Sequence, residues 1–582
     1  MREDLKKEDL KKEALKKEIE EKLYSRNFTR WGLDLNPFVS VGVGLVILLF
    51  SVISLIDLET TTRVFNDLKT SILNSTNWVF IFSSNIFVVI GLYLAFSKYG
   101  NVKIGGVDAT PRFSNFSWYS MLLSAGMGIG LMFYSVGEPL MHANVIPPIF
   151  KSGDIVGNAL ATTYLHWGIH PWAIYSLVAL ALAFYAFNRN LPLSLRSVFY
   201  PIFKDKVYGL LGDVIDLLTV IACLFGLAAS LGVGVQQVNS GLNYVFGIPV
   251  NTTVQVILIA LITFAATLSV VTGLDKGVKI LSRANIKLAL IFMVVITLLG
   301  PTGYIIEVFS NSLGIYIDEF FRASTFISYD DASWQGSWTI FYLAWWVSWS
   351  PFVGMFIARI SKGRTVREFI LAVMIIPSLA SFIWMSVFGA TATYINQISN
   401  GQLYEVVQSN LPVALFELIK YLEAPFLTNF IQTLLSILAL VLIISFFVTS
   451  SDSGSLVVDN ITSGGKLDSP VPQRIFWACM EGVIAAVLLI IGGPQILNTL
   501  QTALISTGLP FAIILLVMAF TLLFEIRKTH LEQNRTKNYR MYKTFNKRYG
   551  EEKKKEKNDL FGFDKDSKLK EKISTYKHKQ EV

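Results

Sequence analysis

An all-α integral membrane protein is the fold class this sequence predicts, on three observations. Of 582 residues, 53% are hydrophobic and only 16% are charged, against about 25% charged in soluble domains. Mean hydropathy is +0.51. The apolar residues fall in runs near the roughly 20 residues that a helix needs to cross a hydrocarbon core. That is more apolar surface than one water-soluble core can bury. Two Cys exclude a disulfide scaffold, and 12 Trp with 42 Phe exclude a disordered chain. The first 30 residues lack the apolar centre of a secretory signal.

In chain order, residues 1–30 carry 10 Lys/Arg and 8 Asp/Glu. Their Glu-Asp-Leu-Lys-Lys pattern has a five-residue period that returns no apolar residue to one helix face, which predicts a solvated, charge-laced tail. Twelve spans follow, at 36–57, 77–97, 115–136, 157–187, 207–237, 250–272, 284–309, 335–358, 366–395, 428–450, 473–492 and 495–525. They divide the chain into two peripheral helices (31–114), a first five-helix set (115–309), an extracellular loop (310–334), a second five-helix set (335–525) and a basic tail (526–582). Residues 527–582 hold 18 Lys/Arg against 9 Asp/Glu, so the net charge of +8 belongs to the tails and implies no nucleic-acid binding by the body. With the N-terminus inside, the inward loops hold 17 basic residues and the outward loops 5. This bias predicts cytoplasmic termini in a plasma-membrane protein, with the basic tail against anionic lipids.

Two spans carry helix breakers at mid-depth. The third reads Ser124-Ala125-Gly126-Met127-Gly128-Ile129-Gly130, and the eighth carries Pro351 after Trp349-Ser350. Close packing of small residues is one reading of the glycines. Alternate glycines fall on different faces, however, and each costs about 1 kcal/mol in a helix, which favours unwinding beside a cavity. Breaks in spans three and eight, five apart, predict two five-helix repeats of inverted topology with a midplane site.

The fourth span carries His166-Trp167-Gly168-Ile169-His170-Pro171-Trp172 and Tyr175, and the eighth Trp345, Trp346 and Trp349. Trp usually forms interfacial belts; several beside expected breaks predict an aromatic cage. A quaternary ammonium cannot donate an N–H hydrogen bond and is held by indole faces at up to about 2 kcal/mol per desolvated contact. Backbone donors freed around Gly126, Gly128 and Gly130 would receive a carboxylate, so a zwitterion would be bound with no buried charged side chain. His166 and His170 have metal-compatible spacing but no evident third ligand, and structural hydrogen bonding is expected of them. A Walker A pattern and any nucleophile–base cluster are absent, so no enzyme and no cofactor is expected. A channel with an aromatic constriction is the alternative of a different class.

Gly126-Met127-Gly128-Ile129-Gly130-Leu131, Trp167 to Tyr175, Trp345 to Lys362 and Phe447-Val448-Thr449-Ser450-Ser451-Asp452-Ser453-Gly454 together resemble the betaine/carnitine/choline transporters over roughly residues 30–525. The resemblance implies a LeuT-like core after two extra helices, a homotrimer, and uptake of trimethylammonium osmolytes, often with Na+. It implies an ammonium box of Trp167, Trp172, Tyr175 and Trp346, with Trp349 on the pathway toward the cytoplasm. A Na+ site would use carbonyls of Ser124 and Met127 with hydroxyls of Thr449 and Ser450. A second Na+ site beside Phe352 is doubtful, because Cys223 and Leu227 stand where two threonines would line it. One Na+, or none, follows, leaving Na+-independent carnitine/betaine exchange open. Glycine at 130, where choline-taking members tend to have an acid, favours glycine betaine over choline.

Overall fold

Capping chemistry begins and ends the helices where the sequence changes character. Asn36 accepts from the Val39 amide and Pro37 opens the first helix, α1 (Pro37–Ile56). Asp57 caps α2 (Leu58–Phe96), and hydrogen bonds from the Thr60 backbone and then its hydroxyl hold the Asp57 carboxyl below the usual range. The computed structural model describes residues 14, 17, 18, 21–126, 128–272, 277–328, 333–424, 427–466 and 469–558. Further along come α3 (Asn115–Gly126), α4 (Ile129–Asn144), α5 (Ile155–Trp167), α6 (Ile169–Asn188) and α7 (Leu210–Phe246). They are followed by α8 (Thr252–Thr272), α9 (Gly277–Leu299), α10 (Thr302–Asp318), α11 (Phe341–Ile360) and α12 (Val366–Ile398). The last three are α13 (Thr428–Thr462), α14 (Val471–Gly492) and α15 (Ile496–Asn558). Among the described residues there is no β-strand, only two isolated bridges. Residues 1–527 and 528–582 are separate units, and the described part of the second is helical to Asn558.

Eleven helices among the described residues are long and apolar enough to cross a membrane. The expected third span is instead two shorter helices, α3 and α4; Met127 lies outside the described residues, and Gly128, just before α4, has a fully extended backbone (φ −158°, ψ −174°). The eighth span departs from expectation. Helix α11 continues through Pro351, and a five-residue π-helical turn, Gly336–Ile340, precedes it. Proline removes the donor that would serve the Val347 carbonyl, but the Ser350 hydroxyl donates to that carbonyl at 2.7 Å. The break falls in the fourth span, at Gly168 (φ −105°, ψ −122°) between α5 and α6. A Cβ there would stand 2.6 Å from the Tyr164 carbonyl. The predicted seventh span, 284–309, is interrupted at Gly300-Pro301. Helix α10 therefore crosses the expected boundary between 309 and 310, and much of the supposed loop is helical.

Packing pairs the helices reciprocally: α11 lies on α6 and α12 on α4, while α14 lies on α7 and α8 on α13. Near the start of α7 the chain buries an ion-pair cluster. Arg196, wholly buried, meets Asp213 at 3.1 Å and Asp216 at 2.5 Å. Arg26 reaches the other Asp213 oxygen at 2.6 Å, and Asn36 donates to Asp213 at 2.9 Å.

Candidate functional site

Because Gly128 is extended, the first turn of α4 stands clear of α3 and faces the two halves of the broken fourth span. A cavity opens there, lined by Gly128, Ile129, Gly130 and Leu131 of α4, Trp167 of α5, and Pro171, Trp172 and Tyr175 of α6. Trp345, Trp346 and Trp349 of α11 and Ser381 of α12 complete it. It encloses about 510 Å³, counting its open mouth. Trp167, Trp172, Trp345, Trp346 and Tyr175 are buried, and Trp349 is half-buried.

The rings meet at defined angles. Trp167 stands edge-on to Trp346 at 5.0 Å, and Trp172 edge-on to Tyr175 at 5.4 Å. Tyr175 is edge-on to Trp346 at 6.2 Å, whereas Trp345 and Trp346 are parallel at 5.5 Å. Four of the indole N–H groups are spent on protein acceptors. Trp346 donates to the His166 carbonyl at 2.9 Å, beside the Gly168 break. Trp345 donates to Ser230 at 2.9 Å, Trp349 to the Gly226 carbonyl at 3.0 Å, and Trp167 to Glu138 at 2.7 Å. With these donors engaged and no charged residue in the lining, the cavity offers π-faces that attract a weakly hydrated cation. The start of α4, whose N-cap Gly128 gives no side-chain cap, carries the backbone amides that any helix N-terminus leaves without an intrahelical acceptor, a setting that suits an anionic group. Gly130 has no room for a side chain: a Cβ would lie 2.7 Å from the Trp167 ring and 3.2 Å from that of Trp345.

Gly128, Gly130, Trp167, Trp172, Tyr175, Trp346 and Trp349 are thus gathered in one place, as is Trp345. Gly126 is described only as the last residue of the α3 backbone. Of the expected Na+ ligands, Met127 lies outside the described residues, and Ser124 is described only as α3 backbone. Thr449 and Ser450 are half-buried on α13. The Thr449 hydroxyl donates to the carbonyls of Ser445 and Phe446 at 3.0 and 3.1 Å, which leaves its lone pairs for a cation. Phe352 stands edge-on to Trp349 at 5.4 Å. Cys223 and Leu227 are buried, so both departures from the two-threonine pattern face the interior.

One expectation is corrected. The neighbourhood of the cage does contain a buried charge-bearing group, Glu138, which is fully buried on α4. It also accepts from Tyr342 at 2.6 Å and contacts His166 Nδ1 at 2.6 Å. His142 Nε2 lies 3.6 Å from it. His166 therefore groups with Glu138 and His142, their ligand-type atoms all within 4.8 Å of one another, and not with His170. His166 also contacts Thr339 at 2.9 Å, while His170 stacks on Phe320. The signal was available as Gly130, Tyr134, Glu138 and His142 at four-residue intervals, one face of a helix. A span ended at 136 hid it.

A family model described as the betaine/carnitine/choline family transporter matches residues 38–531. The chain is 47% identical over 514 residues to a glycine betaine/proline/choline/ectoine transporter of Vibrio parahaemolyticus, covering 86% of this chain and 89% of the relative. It is 44% identical over 509 residues to glycine betaine transporter 1 of the same organism, covering 86% and 95%. It is 41% identical over 498 residues to a glycine betaine transporter of Acinetobacter baylyi, covering 85% and 74%.

Proposed function

The chain belongs to the betaine/carnitine/choline family of transporters, and from that premise we propose that it imports a quaternary-ammonium osmolyte, glycine betaine first, by Na+ symport. It is a multi-pass membrane transporter and not an enzyme. The observation that carries the reading is the cavity of Trp167, Trp172, Tyr175, Trp346 and Trp349, whose outward-bonded indoles suit a trimethylammonium group. The amides at Gly128–Gly130 suit the carboxylate of a betaine. Relatives named for glycine betaine support the choice of zwitterion.

Alternating access is the mechanism that fits. The reciprocal packing of α11 on α6 with α12 on α4 is what two inverted five-helix repeats of a LeuT-like core would produce. The broken helices bordering the cavity mark its place in such transporters. Thr449 and Ser450, with carbonyls of Ser124 and Met127, remain the proposed Na+ ligands, since Na+ requires several oxygens. One Na+ crossing about 100 mV supplies about 2.3 kcal/mol, roughly fiftyfold accumulation. The buried Cys223 and Leu227 favour at most one Na+ and keep Na+-independent exchange as the second reading. A homotrimer in the plasma membrane with cytoplasmic termini completes the proposal.

Purified protein in liposomes should take up radiolabelled glycine betaine saturably, and an inward Na+ gradient should be required. Uptake indifferent to Na+ but dependent on internal substrate would identify an exchanger, stronger competition by choline would reassign the substrate, and flux that never saturates would indicate a channel. The basic tail is proposed to contact anionic lipid, an attraction weakened by salt. Deleting residues 530–582 should flatten the rise of uptake with osmolality in anionic vesicles, and an unchanged profile would remove the tail from regulation.

A further inference from the structure

We propose that Glu138 is a positioning and specificity-determining residue for the aromatic cavity: its buried carboxylate fixes Trp167 and supplies the negative charge that makes the cavity prefer an onium ion to an uncharged group of the same shape. The proposal rests on the aromatic-box reading above. It begins with placement. Gly130 and Glu138 lie eight residues apart on α4, on the stripe that also bears Tyr134 and His142. The same helix therefore presents backbone to the cavity and a carboxyl group to the ring that walls it.

The hydrogen bonds define the state of that group. An indole N–H only donates, so the Trp167 contact at 2.7 Å makes Glu138 Oε2 an acceptor. Tyr342 donates to the same oxygen at 2.6 Å. The other oxygen faces His166 Nδ1 at 2.6 Å. The Nδ1–H tautomer of His166 is consistent with both contacts, donating to Glu138 and accepting the Thr339 hydroxyl at Nε2. With that tautomer the carboxyl group is met by three donors, which suits its acceptor-only, ionised form, and burying the charge without them would be prohibitive. The groups facing it are His142 of its own helix, His166 and Trp167 of α5, and Tyr342 of α11; Tyr134 adds a ring contact to Trp167 at 6.3 Å.

Two consequences reach the cavity. A charge-assisted hydrogen bond is shorter and stronger than a neutral one, so Trp167 is held in the orientation that sets its edge against Trp346. Tyr342, held by the same oxygen, lies parallel to Trp346 at 5.9 Å, so two walls of the cavity rest on one carboxylate. The negative charge also sits one indole away from the bound cation, in a medium where such interactions are weakly screened. The donor's bond to an anion enriches the ring face as well. A role confined to packing would serve any ligand of the right shape, whereas charge serves only the cation.

The probe pair is glycine betaine and 3,3-dimethylbutyrate, which replaces the quaternary nitrogen by carbon and keeps the carboxylate. Wild-type protein in liposomes should bind betaine well ahead of the isostere. Glu138→Gln should raise the betaine KM about tenfold with kcat nearly constant, and change the inhibition constant of the isostere by less than about twofold. Glu138→Asp, which keeps the charge, should retain most of the preference. Equal losses for both ligands in Glu138→Gln, an unchanged betaine KM, or failure of both variants to accumulate in the membrane would reduce Glu138 to a structural group and overturn the proposal. A wild-type protein that does not distinguish the two ligands would instead overturn the aromatic-box reading.

Discussion

Trp346→Leu should raise the KM for glycine betaine about thirtyfold in proteoliposomes, with the protein still reaching the membrane. The figure follows from one desolvated cation–π contact of about 2 kcal/mol at tenfold per 1.4 kcal/mol. Trp346 is the ring on which the site converges: Trp167 and Tyr175 stand edge-on to it, and Trp345 and Tyr342 lie parallel to it. Leucine keeps apolar volume but removes the π-face and the donor to the His166 carbonyl. Trp346→Phe restores a face without the donor and should fall between the two. A KM for Trp346→Leu within twofold of wild type would take this residue out of the site.

Arg196→Met should destabilise the fold by about 3–5 kcal/mol, because it strands the buried Asp216 carboxylate and takes one cationic partner from Asp213. The expected reading in detergent is a fall of roughly 3–5 °C in Tm. Asp213 keeps Arg26 and Asn36 as partners, whereas among the described residues the side-chain partner of Asp216 is Arg196. Adding Asp216→Asn to Arg196→Met should therefore recover part of the loss. An Arg196→Met protein that melts with the wild type would mean that the cluster contributes nothing net.

Hydropathy made the long helices legible, since 20-residue apolar runs have few other uses. The extended backbone at Gly128 was legible as well, because three alternate glycines weaken a helix from every side. The Pro351 break was overcalled: a neighbouring Ser350 hydroxyl replaces the missing donor, and side-chain rescue is invisible to a rule about proline. The break at Gly168 was undercalled, since a lone glycine reads as a packing residue until Tyr164 and Phe382 are seen against it. Trp and Tyr named most of the cavity because few residue types could wall the proposed cation site without charge. Glu138 escaped because the hydropathy window closed two residues early, at the point where the helix turns polar inside and stays buried.

The repair at Pro351 makes Phe341–Ile360 one rigid lever about 30 Å long. Arg364, just beyond its end, is clamped to Asn115 and to the Phe113 carbonyl at the foot of α3. From Trp346 to Arg359 is about 20 Å of unbroken rod, so a tilt of about 10° pivoting at the indole swings the far tip by roughly 3–4 Å. Such a stroke would arrive at α3, the helix that stops short of the extended Gly128, so a ligand held at the proposed cavity would pull on that arm.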